Sequence, residues 1–109
     1  MEKVLYDTNK LIEAYKSNKD IQGYTTIFNL IEFPKALELD LIVLYPSKSD
    51  YNLALKISTE LLKIGKPVPA IDVIISAISI NRGLKLVTKK DKHFLFVKDV
   101  IKDFNVQKE

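Results

Sequence analysis

Short apolar runs alternate with longer segments of helical period along this chain. Residues 3–6 open with a buried-strand run, Val4-Leu5-Tyr6 after Lys3. Residues 10–17 then set Leu11, Ile12 and Tyr15 at helical spacing. Gly23 marks a turn, and residues 24–26 read as a short strand or the start of the next helix. Residues 27–39 predict a helix with Leu30, Ile31 and Leu37 on one apolar face, kinked where Pro34 removes a hydrogen bond. Residues 41–45 read as a second strand, closed by Pro46.

Ser47 and Asp50 stand in capping-box spacing at the start of a helix, with Asp in place of the usual Glu. Leu53, Ile57, Leu61 and Leu62 form its expected buried stripe, and Gly65 is a natural stop. After Pro67 and Pro69, residues 70–82 predict a helix that is apolar nearly all round and therefore central and buried. Gly83 ends it, and residues 85–88 form a third strand. Residues 94–97, with Val100 and Ile101, predict another strand or turn. Strands alternating with helices imply an α/β fold of three layers, α/β/α, around a mainly parallel sheet. In such sheets ligands gather outside the carboxyl ends of the strands.

Composition narrows this picture only a little. A chain of 109 residues with 47% hydrophobic and 28% charged positions suits one domain with a modest core. The absence of cysteine excludes disulfides and thiolate metal sites. A net charge of +3 permits nucleic-acid binding without establishing it. The first residues lack the apolar segment of a signal peptide. No apolar run reaches the ~18 residues of a membrane span, so no membrane partner is expected and the expected location is cytoplasmic.

Four acidic residues change the picture more. Asp7 ends the first strand, and Glu32 lies inside Ile27-Phe-Asn-Leu-Ile-Glu-Phe33. Asp72 is the one charge in Val68-Pro-Ala-Ile-Asp-Val-Ile-Ile-Ser-Ala-Ile78, and Asp91 follows the strand ending at Thr88. Ionised carboxylates beside apolar surface are costly unless paired or bound to a cation. If the fold gathers them, a divalent metal is the simplest compensation, and a metal-dependent phosphodiesterase the leading reading. Each acid also has a plainer explanation. Asp7 is as readily a helix cap, Asp72 a favourable charge in a first helical turn, Glu32 a solvent-facing residue, and Asp91 part of a charged loop. Lys89, Lys90 and Lys92 can track phosphates or simply confer solubility. His93, with no Ser or Cys partner pattern, reads as surface or turn structure.

Taken together, these segments resemble the PIN-domain family, small metal-dependent ribonucleases that include VapC-type toxins. Leu5-Tyr-Asp-Thr-Asn-Lys-Leu-Ile12 resembles its opening strand, and Thr25 to Phe33 the segment carrying its Glu. Gly65 to Gly83 resembles its third-acid helix, and Leu84 to Phe94 its last acidic motif. The ordered set covers almost the whole chain. The stretch between Glu32 and Leu41 is shorter than usual in the family, and the Thr88-to-Asp91 spacing is one residue longer.

The resemblance implies hydrolysis of RNA by Asp7, Glu32, Asp72 and Asp91 holding Mg²⁺ or Mn²⁺, hard cations that suit oxygen ligands. It assigns Thr8, Asn9 and Thr88 to supporting hydrogen bonds, and it implies an antitoxin partner and a homodimer. Two other classes stand beside it. One is an inactive PIN-like module that binds nucleic acid or protein. The other is an Asp-based phosphatase, which would resemble Asp-x-Asp where this chain has Asp7-Thr8-Asn9.

Overall fold

A computed structural model describes residues 3–109. Five strands form one sheet: β1 (Val4–Tyr6), β2 (Tyr24–Thr26), β3 (Ile42–Leu44), β4 (Lys85–Thr88) and β5 (Val106–Lys108). Their order is β3-β2-β1-β4-β5, and every pairing is parallel. Five α-helices connect them: α1 (Thr8–Lys16), α2 (Ile27–Glu32), α3 (Lys48–Lys63), α4 (Ala70–Asn81) and α5 (Lys92–Val100). The expected α/β architecture is the one observed.

Side-chain alternation along the strands builds a core on each face of the sheet. Leu5 and Leu86 join Ile57, Leu61, Val73, Ile75, Ile78, Phe94, Val97 and Phe104 in the larger one, under α3, α4 and α5. Tyr6 and Val43 pack instead with Leu11, Leu30 and Ala36, under α1 and α2. Helix α4 is buried as its apolar run predicts, with Ala77 and Ile78 at 0% exposure.

Local chemistry sets the ends of α3 and α4. Ser47 accepts from the Asp50 N–H while Asp50 accepts from the Ser47 N–H, completing the capping box. Gly65 and Gly83, at φ +70 and +63, each follow a helix in the left-handed conformation. Paired bonds, Gly65 N–H to Leu62 and Lys66 N–H to Leu61, then close α3; Gly83 to Ile80 and Leu84 to Ser79 close α4.

The fold adds strand β5, which the sequence pattern does not predict, and departs from that pattern in three other places. The helix predicted over 27–39 stops at Glu32, and a 3-10 helix, Pro34–Glu38, follows. Pro34 lacks the N–H that would continue the ladder, and it disfavours helical geometry at Phe33, which sits at φ −142. The break resets the phase, so Leu37 is exposed; Ile31, within α2 itself, also faces solvent while Leu30 is buried. Leu62 likewise faces solvent from α3. Residues 94–97 are helical, not extended. Phe94 and Val97 are buried one turn apart, and Leu95 between them is exposed.

Asp50 and Arg82 lock α3 to α4. The Asp50 side chain has no exposure, and Arg82 meets both its oxygens at 3.0 Å. Asn81 adds a bond at 2.8 Å. Burial pushes the Asp50 carboxyl up, but the Arg82 guanidinium, the Ser47 N–H and the Asn81 amide outweigh it and hold it at about 2.

Candidate functional site

The carboxyl ends of β1, β4 and β5 open into one cavity of about 630 Å³. Asp7, Thr8, Asn9, Glu32, Asp72, Lys89, Lys90, Asp91, Lys92, His93, Phe94 and Lys108 line it. Asp7 arrives one residue past β1, Glu32 as the last residue of α2, Asp72 in the first turn of α4, and Asp91 just before α5.

Asp7 has the most defined setting. It precedes α1 at the N-cap position, yet its side chain makes no capping bond. Asn29 donates to Asp7 Oδ1 at 3.0 Å, and Thr88 donates to Asp7 Oδ2 at 2.8 Å. The carboxylate is therefore aimed across the sheet's end rather than folded back on its own helix. Asp91 also occupies an N-cap position without capping its helix. It lines the cavity without that bond.

Asn29 is the residue that the sequence pattern hides. It looks like one polar interruption in an apolar helix, but it has 0% exposure. Its Oδ1 accepts from the Thr26 hydroxyl at 2.6 Å, and its Nδ2 reaches both Asp7 and Thr8, the latter at 2.9 Å. The available signal was Thr26-x-x-Asn29, a capping-box spacing with Asn in place of Glu or Gln. Replacing Asn29 with Leu should destabilise the fold by about 2 kcal/mol, because Thr26 and Thr8 lose buried partners. Chemical denaturation of the variant measures this directly.

The supporting residues differ in what they do. Thr8 donates to Glu32 Oε1 at 3.4 Å, and Thr88 also receives the Lys90 N–H at 3.1 Å. Asn9 lines the cavity without a side-chain bond to any of the acids. His93 lies within α5, and its Nδ1 stands 2.9 Å from Asp72 Oδ2. The turn expected as one alternative for this histidine is a helix instead, and its half-exposed side chain meets one of the acids.

Electrostatics around the acids are mixed. Lys90, Lys92 and Lys108 bring positive charge to the rim, and Lys108 was not anticipated because β5 is so short. Lys89 pairs with Glu13, which also accepts from Lys10 at 2.7 Å. Lys10, then Lys89, hold the Glu13 carboxyl down to about 2.

The donor set is oxygen-rich and anionic, which suits a hard divalent cation over a soft one. Among the described residues, no three carboxylate or imidazole groups stand close enough to form a ready metal cage. Thus the fold brings the acids to one cavity but does not close them around a point. An apolar groove of about 360 Å³, lined by Phe28, Ile31 and Ile71, adjoins Glu32 and Asp72. Among the described residues, no helix is long and apolar enough to cross a membrane.

No family model matches the chain, and no curated protein matches it. Solved structures do. VapBC2 from Rickettsia felis, bound to a DNA fragment from its promoter, aligns with TM-score 0.72 at 17% identity, over 97% of this chain and 98% of that chain. VapBC-1 from nontypeable Haemophilus influenzae aligns at 0.71 and 18% identity, over 96% of each chain. DNA-bound VapBC from Salmonella typhimurium aligns at 0.70 and 19% identity, over 99% of this chain and 98% of that chain. The fold of this chain is therefore PIN-like.

Proposed function

We propose that residues 1–109 form one PIN-like domain that acts in the cytoplasm as a Mg²⁺- or Mn²⁺-dependent endoribonuclease. In this reading it is the toxin of a toxin–antitoxin pair and works as a homodimer. The observation that carries the reading is the cavity itself: four carboxylates from four separate elements line it, at the strand ends where α/β sheets bind ligands. The PIN-like fold shared with VapBC structures supports the toxin role.

Asp7, Glu32, Asp72 and Asp91 would hold the ion, which would supply a water of lowered pKa and stabilise charge on the phosphate. The chain's own residues prepare that site. Asn29 and Thr88 fix Asp7 from two sides, and Thr8 links Asn29 to Glu32. Lys90, Lys92 and Lys108 draw the RNA backbone to the rim as point charges. Lys89 holds Glu13 and contributes to the same positive edge. The groove of Phe28, Ile31 and Ile71 suits an apolar stretch of an antitoxin, with a cation beside it reaching the acids.

A second reading, an inactive PIN-like binding module, is favoured by the absence of a ready cage among the described residues. Two assays separate them. With Mn²⁺ at ~100 Kd, binding to the folded chain alone should add about 2.7 kcal/mol of stability. That should raise the melting temperature by roughly 10 °C, at ~4 °C per kcal/mol for a domain of this size. A labelled single-stranded RNA should be cut in Mn²⁺ and spared in EDTA. A melting curve indifferent to Mn²⁺ and Mg²⁺ would count against the metal site, and metal binding without cleavage would favour the inactive module.

A further inference from the structure

His93 belongs to none of the roles assigned so far, yet it touches the site at a defined atom. It projects from the first turn of α5 and meets Asp72, in the first turn of α4, with Nδ1 2.9 Å from Oδ2. An ionised carboxylate only accepts hydrogen bonds, so Nδ1 carries the proton. That assigns the ring orientation: Nδ1–H faces Asp72, and Nε2 bonds to no described residue. Asp72 Oδ1 is likewise bonded to no described residue, and Asp72 lines the same cavity.

The backbone that carries the ring is anchored by its neighbour. Phe94, the next residue, is 2% exposed and stacks edge-on with Phe104. It packs in the core that also contains Val73, the neighbour of Asp72. The two helix starts are thus held near each other by packing of the residues beside His93 and Asp72. An Asp side chain samples several staggered χ1 wells and a broad χ2. One oxygen tied to a fixed imidazole leaves the other oriented and available.

We infer that His93 is a positioning residue for Asp72, holding one carboxylate oxygen so that the other is presented to a divalent cation. This rests on the metal reading above. Groups that hydrogen-bond a ligating carboxylate orient it and raise affinity for the metal. The plain alternative is a half-exposed surface histidine that meets Asp72 by chance.

Calorimetric titration of Mn²⁺ into the wild-type chain and His93 variants separates these. His93→Ala should weaken Mn²⁺ binding by about 10–100-fold. His93→Asn places an amide N–H where Nδ1 stood and should restore most of that loss. His93→Gln mimics Nε2 instead and should not. Metal-free melting curves of all three should match wild type, since His93 is half exposed and its burial is not what holds the fold. Mn²⁺ affinity unchanged in His93→Ala, while Asp72→Asn still loses it, overturns the inference and leaves the metal reading intact. Rescue by Gln but not Asn also overturns it. Failure of the wild-type chain to bind Mn²⁺ overturns both.

Discussion

Asp72→Asn is expected to reduce RNA cleavage on the order of 10²–10³-fold, the loss typical when one electrostatic element of a reacting site is removed. Asp72 is the cleanest of the four acids to change. Among the described residues, the only side-chain partner of its carboxylate is His93, at 2.9 Å, and an Asn side-chain oxygen can still accept that bond. The fold therefore keeps its contacts while the site loses a charge. Asp7→Asn would be harder to read, because Asn29 and Thr88 both donate to Asp7 and the new amide would face one of them with a second donor. Cleavage rates of wild type and Asp72→Asn at saturating Mn²⁺, alongside melting curves, measure the effect. Equal rates would point to the inactive module, or to contaminating nuclease in both samples.

Asp50→Ala is expected to cost stability on the largest scale in the molecule. The Asp50 carboxylate has no exposure and is held by Arg82, Asn81 and the Ser47 N–H. Removing it strands the Arg82 guanidinium and strips the cap from α3. Breaking one side of such a buried pair costs about 3 kcal/mol or more. At ~4 °C per kcal/mol, that lowers the melting temperature by at least about 12 °C. The pair also sets a pH dependence. The Asp50 carboxyl is held at about 2 in the fold, against about 3.9 in an unfolded chain. An unfolded state that binds the proton more tightly makes stability fall as pH falls. The contribution is present in full above the unfolded value and is lost as pH drops through about 4 toward about 2. Wild type and Asp50→Asn should therefore differ most near neutrality and converge in acid. A constant gap across that range would show that Asp50 acts by shape alone.

The parts of the fold that could be read from the residues are those with strong local signals. The capping box at Ser47 and Asp50, the glycines at 65 and 83, and the largely apolar run of α4 each agree with a single local structure. Helix α5 resembles a strand in sequence because Phe94-Leu-Phe-Val97 is contiguous and apolar. Such a run suits a buried strand as well as a helix, and only the tertiary contacts of Phe94 and Val97 decide between them. The break at Pro34 was foreseen as a kink, but its consequence was not: a change of phase moves every later side chain to another face.

The site divides in the same way. Asp7 and Asp72 stood out as charges beside apolar runs. Asn29 did not, because an uncharged amide in a helix carries no cost that can be seen until its burial is known. The Asp50–Arg82 pair joins residues far apart in sequence, and nothing local links them. His93 has no Ser or Cys partner pattern in the sequence, and its partner in the fold is one of the four acids.

Anomalous diffraction from crystals grown with Mn²⁺ tests the metal site most directly. The reading predicts a peak in the cavity lined by Asp7, Glu32, Asp72 and Asp91, with Asp7 and Asp72 oxygens at about 2.1 Å from it. Crystals saturated with Mn²⁺ that carry no peak in that cavity, while Asp72 stays bound only to His93, would contradict it.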